Sequence, residues 1–147
     1  MPAHRLAGDR LVRTTATALA LGRLAIGAGI WLAPGRAAKA LGFDSIDDKA
    51  LALGRVAASR DLVLGAWQLS ALDDRRDLRR ASLAVAVADG GDALAFALAL
   101  RGVGTRGAGL RGLAGAVPAT LAGVWLVRRL ESASYRLRFL DAHRSEP

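Results

Sequence analysis

Two aspartates, Asp89 and Asp92, stand three residues apart inside an otherwise apolar stretch. On a helix that spacing puts both carboxylates on one face, about 60° apart. Such a pair can hold a cation, exchange a proton, or accept the forked hydrogen bonds of a guanidinium. Guanidinium partners are available in two other apolar stretches, where Arg23 stands alone and Arg60 stands beside Asp61. Arg55 is a sixth ionisable residue of this kind. Other chemistries lack their parts. The chain has no Cys and only two His, His4 and His143 near the ends, so Cys/His metal sites, haem attachment, thiol chemistry and Ser/His triads are not expected. No catalytic residue, metal or cofactor is expected, and the chain does not read as an enzyme.

These charges must be positioned by apolar elements. The chain has 147 residues, enough for one domain, with 52% hydrophobic residues against 23% charged. Mean hydropathy is positive at +0.27. That balance excludes disorder, a disulfide scaffold and collagen-like sequence. Four apolar segments of near-membrane length run over 14–33, 50–72, 81–100 and 107–127. About 20 helical residues match a hydrocarbon thickness of roughly 30 Å. The fold expected is all-α, a single membrane domain of four transmembrane helices. Pro34 and Gly35 stop the first span, Ser45 and Asp48 are spaced like a capping box before the second, and the run of charges over 73–80 reads as a connection. The competing fold is a soluble Ala-rich bundle, but from Leu62 to Leu72 the polar side chains are Gln68 and Ser70, which leaves no water-facing stripe.

Orientation follows from Lys and Arg. Twelve arginines fall on the side of the termini and second connection, against six basic residues on the other side, so both termini are expected in the cytoplasm and the chain in the cell membrane. Net charge is +8, which would suit nucleic acid, but the basic residues gather at span ends without a nucleic-acid-binding motif. Anionic lipid explains the charge instead, and the bilayer is the partner expected.

Counted from the inner boundary by helix rise, Arg23, Arg60, Asp61, Asp89 and Asp92 fall at depths of about 12 to 18 Å. Unpaired, these five would oppose insertion by roughly 12 to 18 kcal/mol. They are therefore expected to face inward as a midplane network, with Arg55 nearer the outer face and able to snorkel. Such a network can be structural glue, or a site for protons or ions. Gly90 and Gly91, between the aspartates, can unwind the span there or admit a neighbouring helix. In the fourth span Gly115, Ala119 and Gly123 recur every four residues, a packing stripe turned toward the bundle or toward a second copy in a homo-oligomer or larger membrane complex. Residues 128–147 read as a cytoplasmic tail, with Leu130, Ala133, Leu137 and Leu140 at amphipathic spacing. Leu21-Gly22-Arg23 and Leu53-Gly54-Arg55 form a faint repeat, by duplication or by chance in Ala/Gly/Leu-rich sequence.

The segments RLAIGAGIWLAP (23–34), ALGF (40–43), LGRVAASRDLVLGAW (53–67) and VADGGDALAFAL (87–98) together resemble an uncharacterised family of small four-helix integral membrane proteins common in actinobacteria. The likeness covers residues 20–127, and its most specific pieces are Arg60-Asp61 and Asp89-x-x-Asp92. The chain is more loosely similar to DoxX-like four-helix membrane proteins. The resemblance implies location and architecture, and no ligand residues. CDP-alcohol phosphotransferases are similar only at Asp89-Gly90, because the rest of their motif is absent.

Overall fold

A computed structural model describes residues 10–43 and 46–144, with side chains described as far as Ser132. Five helices occur in it, and no strand among the described residues: α1 (Arg10–Leu32), α2 (Pro34–Leu41), α3 (Asp48–Ser70), α4 (Arg75–Ala99) and α5 (Arg106–Arg144). Ser45 and the tail side chains Ala133, Leu137 and Leu140 lie outside the described residues.

The breaks have local causes. Pro34 has no N–H to continue α1, yet suits the first turn of a helix, so the chain restarts at once as α2 instead of entering a loop. Gly42 ends α2 at φ 93°, a conformation that favours glycine. The Gly42 N–H donates to Lys39 O and the Phe43 N–H to Ala38 O, both at 3.0 Å, which is the hydrogen-bond pattern of a Schellman motif. Asp47 caps α3, its carboxylate accepting from the Ala50 N–H at 2.8 Å. Asp74 caps α4 in the same way, accepting from the Asp77 N–H at 2.9 Å. That hydrogen bond, with Arg76 and Arg80 nearby, holds the Asp74 carboxyl below the usual carboxylate range. The charged run over 73–80, expected as a connection, thus includes the first turns of α4. At the other end of the chain, α5 runs unbroken to Arg144, so the tail continues the fourth long helix.

Helices pack chiefly as two pairs, α1 along α3 and α4 along α5. Glycine makes both close. A Cβ on Gly27 would stand 3.0 Å from Ala58 O, and one on Gly65 would stand 3.0 Å from Ala20 O. In the second pair Gly109 meets the Phe96 carbonyl, Gly112 would overlap the Phe96 ring if it carried a Cβ, and a Cβ on Gly123 would be 3.0 Å from that of Ala86. Within one chain the residues of the stripe expected in α5 differ in their surroundings. Gly115 is exposed, and a Cβ there would meet nothing within 4 Å. Ala119 is half-buried, and of the three only Gly123 packs tightly. The contact line on α5 runs through Gly109, Gly112 and Gly123, and shares its last member with the four-residue row. Gly90 and Gly91 do not unwind α4, which is continuous through both.

The two pairs share a small core at one end, where Val12, Ala16, Ala71, Leu78, Ala81, Leu126 and Leu130 are buried against Leu19, Trp67 and Leu72. Elsewhere the long helices turn apolar side chains outward, including Leu21, Ile26, Val63, Val87, Leu94 and Leu121. Three helices, Arg10–Leu32, Arg75–Ala99 and Arg106–Ser132, are long and apolar enough to cross a membrane, with only 17% to 28% of their apolar windows buried. The α3 helix has the 23 residues of α1 but carries Asp48, Lys49, Arg55, Arg60 and Asp61, which take it out of that group.

A buried charge network as the candidate functional site

The two helix pairs meet through polar side chains. Arg23 projects from mid-α1 into the space between α3 and α4 and is 8% exposed. Its Nη1 donates to Asp61 Oδ1 at 2.7 Å and its Nη2 to Asp89 Oδ1, so one guanidinium ties three helices. Both carboxylates are buried with it. Arg60 donates through Nη1 to Asp92 Oδ1 at 3.1 Å and through Nη2 to Asp92 Oδ2 at 2.7 Å, a bidentate grip. The same side chain also reaches its neighbour Asp61 at 3.2 Å. This half of the network lies nearer the surface, with the Arg60 side chain 40% exposed and that of Asp92 33%.

Arg23, Arg60, Asp61, Asp89 and Asp92 are therefore brought together, and Arg55 is not. Arg55 is exposed on the outer side of α3, and among the described residues no carboxylate lies within ion-pairing distance of it. Its carbonyl accepts from the Ser59 hydroxyl, which in turn accepts from Trp31 Nε1 at 3.0 Å. The two arginines of the faint repeat thus occupy opposite environments, Arg23 inside and Arg55 outside.

Sequence reading missed the continuation of this polar seam. Gln68 and Ser82 are fully buried, with Gln68 Nε2 donating to Ser82 Oγ at 3.3 Å between α3 and α4. Beside it, Trp67 Nε1 donates to Asp77 Oδ2 at 3.4 Å, again between α3 and α4. The signal was present in Gln68, the one amide of its segment, because an amide surrounded by apolar residues needs a buried partner.

Two features of the network bear on chemistry. It holds three carboxylates against two guanidiniums, an excess of one negative charge. Three buried atoms, Arg23 Nε, Asp89 Oδ2 and Gln68 Oε1, have no hydrogen-bond partner among the described residues. No group of three or more metal-ligating side chains that could hold a metal ion occurs among the described residues. One cavity opens beside Lys39 and Arg106 and another beside Ile30 and Leu51, and the five network residues line neither of these.

No family model, curated protein or solved structure matches the chain.

Proposed function

We propose that the protein is a small multi-pass membrane subunit of structural or accessory role, a four-span bundle whose two helix pairs are locked by the Arg/Asp network. One observation carries this reading: the Arg23 guanidinium bridges Asp61 of α3 and Asp89 of α4 with almost no exposure. A buried pair of this kind holds register between helices that otherwise share little apolar surface. Support for α3 as the remaining span comes from its length and its company. It lies along α1, its two central charges are paired, and it turns Leu53, Val56 and Val63 outward. The basic bias of the two ends favours cytoplasmic termini and a cell-membrane location. Partners are lipid and, through the exposed side of α5 near Gly115, a second copy or a larger membrane complex.

An ion- or proton-coupled transporter is the runner-up. It draws on the excess carboxylate and on Asp89 Oδ2, a buried oxygen with no partner among the described residues. The burial of Arg23 and of both its carboxylates favours the structural role, since a transport site needs an access path. Reconstituted vesicles decide between the two. Under an imposed pH gradient, a vesicle-trapped pH dye should show no flux above protein-free vesicles for wild type or for Asp89→Asn. Flux in wild type that Asp89→Asn abolishes overturns the structural reading.

A further inference from the structure

At the end of the molecule away from the apolar core, α2 docks on the start of α5. A Cβ on Gly42 would stand 3.2 Å from the Gly107 backbone, and Arg111 Nη1 donates to Ala40 O at 3.0 Å. A cavity of about 600 Å³ opens there, lined by Lys39, Arg106 and Arg111 with Gly42, Phe43 and Gly107. None of the three cations has a carboxylate within ion-pairing distance among the described residues. Arg111 has a structural use, satisfying the end of α2, and Lys39 suits a helix C-terminus. Arg106 has neither excuse. It is the first residue of α5, where a cation opposes the helix dipole, and no acidic residue stands in that turn. The Thr105 hydroxyl, which could cap the free N–H groups, donates instead to Ala99 O at 2.7 Å. Three cations and a bare helix start facing one cavity form an arrangement that an anion would complete.

A second cavity, of about 490 Å³, adjoins the first at Phe43, which lines both. Its walls are apolar, from Ile30, Leu41, Ile46, Leu51 and Leu53. Asp47 also lines it, with one carboxylate oxygen already committed to the Ala50 N–H. A polar cationic chamber joined to an apolar one matches a molecule that has an anionic head and a hydrocarbon tail. We propose that α2 and the start of α5 form a binding site for one anionic phospholipid, its phosphate held by Lys39, Arg106 and Arg111 and the upper part of an acyl chain lying past Phe43 between α2 and α3. This site rests on the membrane reading above and adds a specific ligand class to it.

Native mass spectrometry of the full chain in mild detergent tests the site, with phosphatidylglycerol, phosphatidylcholine and inorganic phosphate as separate probes. Wild type should retain one phosphatidylglycerol in preference to phosphatidylcholine. Lys39→Gln with Arg106→Gln should weaken that retention roughly thirtyfold, while Arg36→Gln with Arg101→Gln, which removes equal charge from the same end outside the cavity, leaves it unchanged. Phe43→Ser, which keeps every cation, should weaken it as well. Equal loss in the Arg36/Arg101 control, equal retention of phosphatidylcholine, or inorganic phosphate binding as tightly as the lipid each overturns the assignment. An alkaline carbonate wash of cell membranes is scored independently. A chain that washes off refutes the membrane reading, whereas a chain that stays and shows no lipid preference refutes only this site.

Discussion

At the residue scale, Arg23 is the side chain that ties three helices through one guanidinium. It lies mid-helix in an apolar span and is buried, so its charge is tolerable only because two carboxylates face it. Asp89→Ala leaves that guanidinium with one partner, and a loss of roughly 3 to 5 kcal/mol follows by analogy with buried pairs broken in soluble proteins. Adding Arg23→Met to Asp89→Ala should restore part of the loss, because the stranded cation is gone. Detergent-solution melting of the single and double variants measures the difference, and equal or greater loss in the double variant contradicts the pairing. Asp92→Asn should be milder, because Arg60 keeps Asp61. Asp74 allows a pH prediction outside the spans. Its carboxyl sits below its ordinary range when folded, so its contribution is complete above the unfolded value and disappears as pH falls through the depressed folded one. Asp74→Asn, which can still cap, should melt with less acid sensitivity than wild type as pH falls from the ordinary carboxylate range downward, and both should be flat between neutral and mildly acidic pH; identical profiles in the acid range would deny Asp74 this role.

At the element scale the glycines decide how closely helices approach. Gly27 and Gly65 let α1 and α3 carbonyls come within contact of each other's backbone, and Gly109, Gly112 and Gly123 do the same for α5 against α4. Gly65→Leu and Gly112→Leu must push a backbone or an aromatic ring aside, at a cost of roughly 1 to 3 kcal/mol or more. Gly115→Leu meets open space within the chain. It should melt like wild type, unless a second copy or a partner covers that face, in which case chemical crosslinking of the oligomer falls while monomer stability holds. The three melting temperatures, measured side by side, separate the α4-facing row from the four-residue row that sequence spacing alone suggests.

For the whole molecule, the consequence of two tight pairs joined by a polar seam is uneven cooperativity. The pairs hold by close apolar contact, and the junction between them by the small apolar core at one end and, along the seam, by Arg23, Arg60 and the Gln68–Ser82 hydrogen bond. Neutralising the seam should therefore loosen α1/α3 from α4/α5 before either pair melts, seen as earlier hydrogen exchange on the facing sides of α3 and α4. Topology is accessible because the chain has no native Cys. Cysteines introduced at Val103 and at Asp73, in the connections at opposite ends of α4, should label from opposite sides of the membrane, with Val103 reached from outside. Labelling of both from one side would remove α4 as a span.

Composition and spacing were sufficient for the helical class, for the apolar segments and for the residues whose charge needs company, because an ionisable group in apolar sequence stands out without any coordinates. Asp89 and Asp92 share a face by helical geometry alone, and Arg23 and Arg60 were the cations at matching depth. What only the tertiary structure decided was contact between segments distant in the chain. Arg23 divides its guanidinium between Asp61 and Asp89 because α1 lies along α3 and its side chain extends on to α4, and no periodicity records that placement. Arg55 falls outside although it follows the same Leu-Gly motif, since the rotation of α3 about its axis is set by Gly65 against Ala20 and not by the local sequence. Gly115 and Gly112 are both small residues at helical spacing, and only the position of Phe96 makes one indispensable and leaves the other free. Local sequence fixes where a helix begins and which residues share its faces; the face that becomes an interface depends on the shape of a neighbour many residues away.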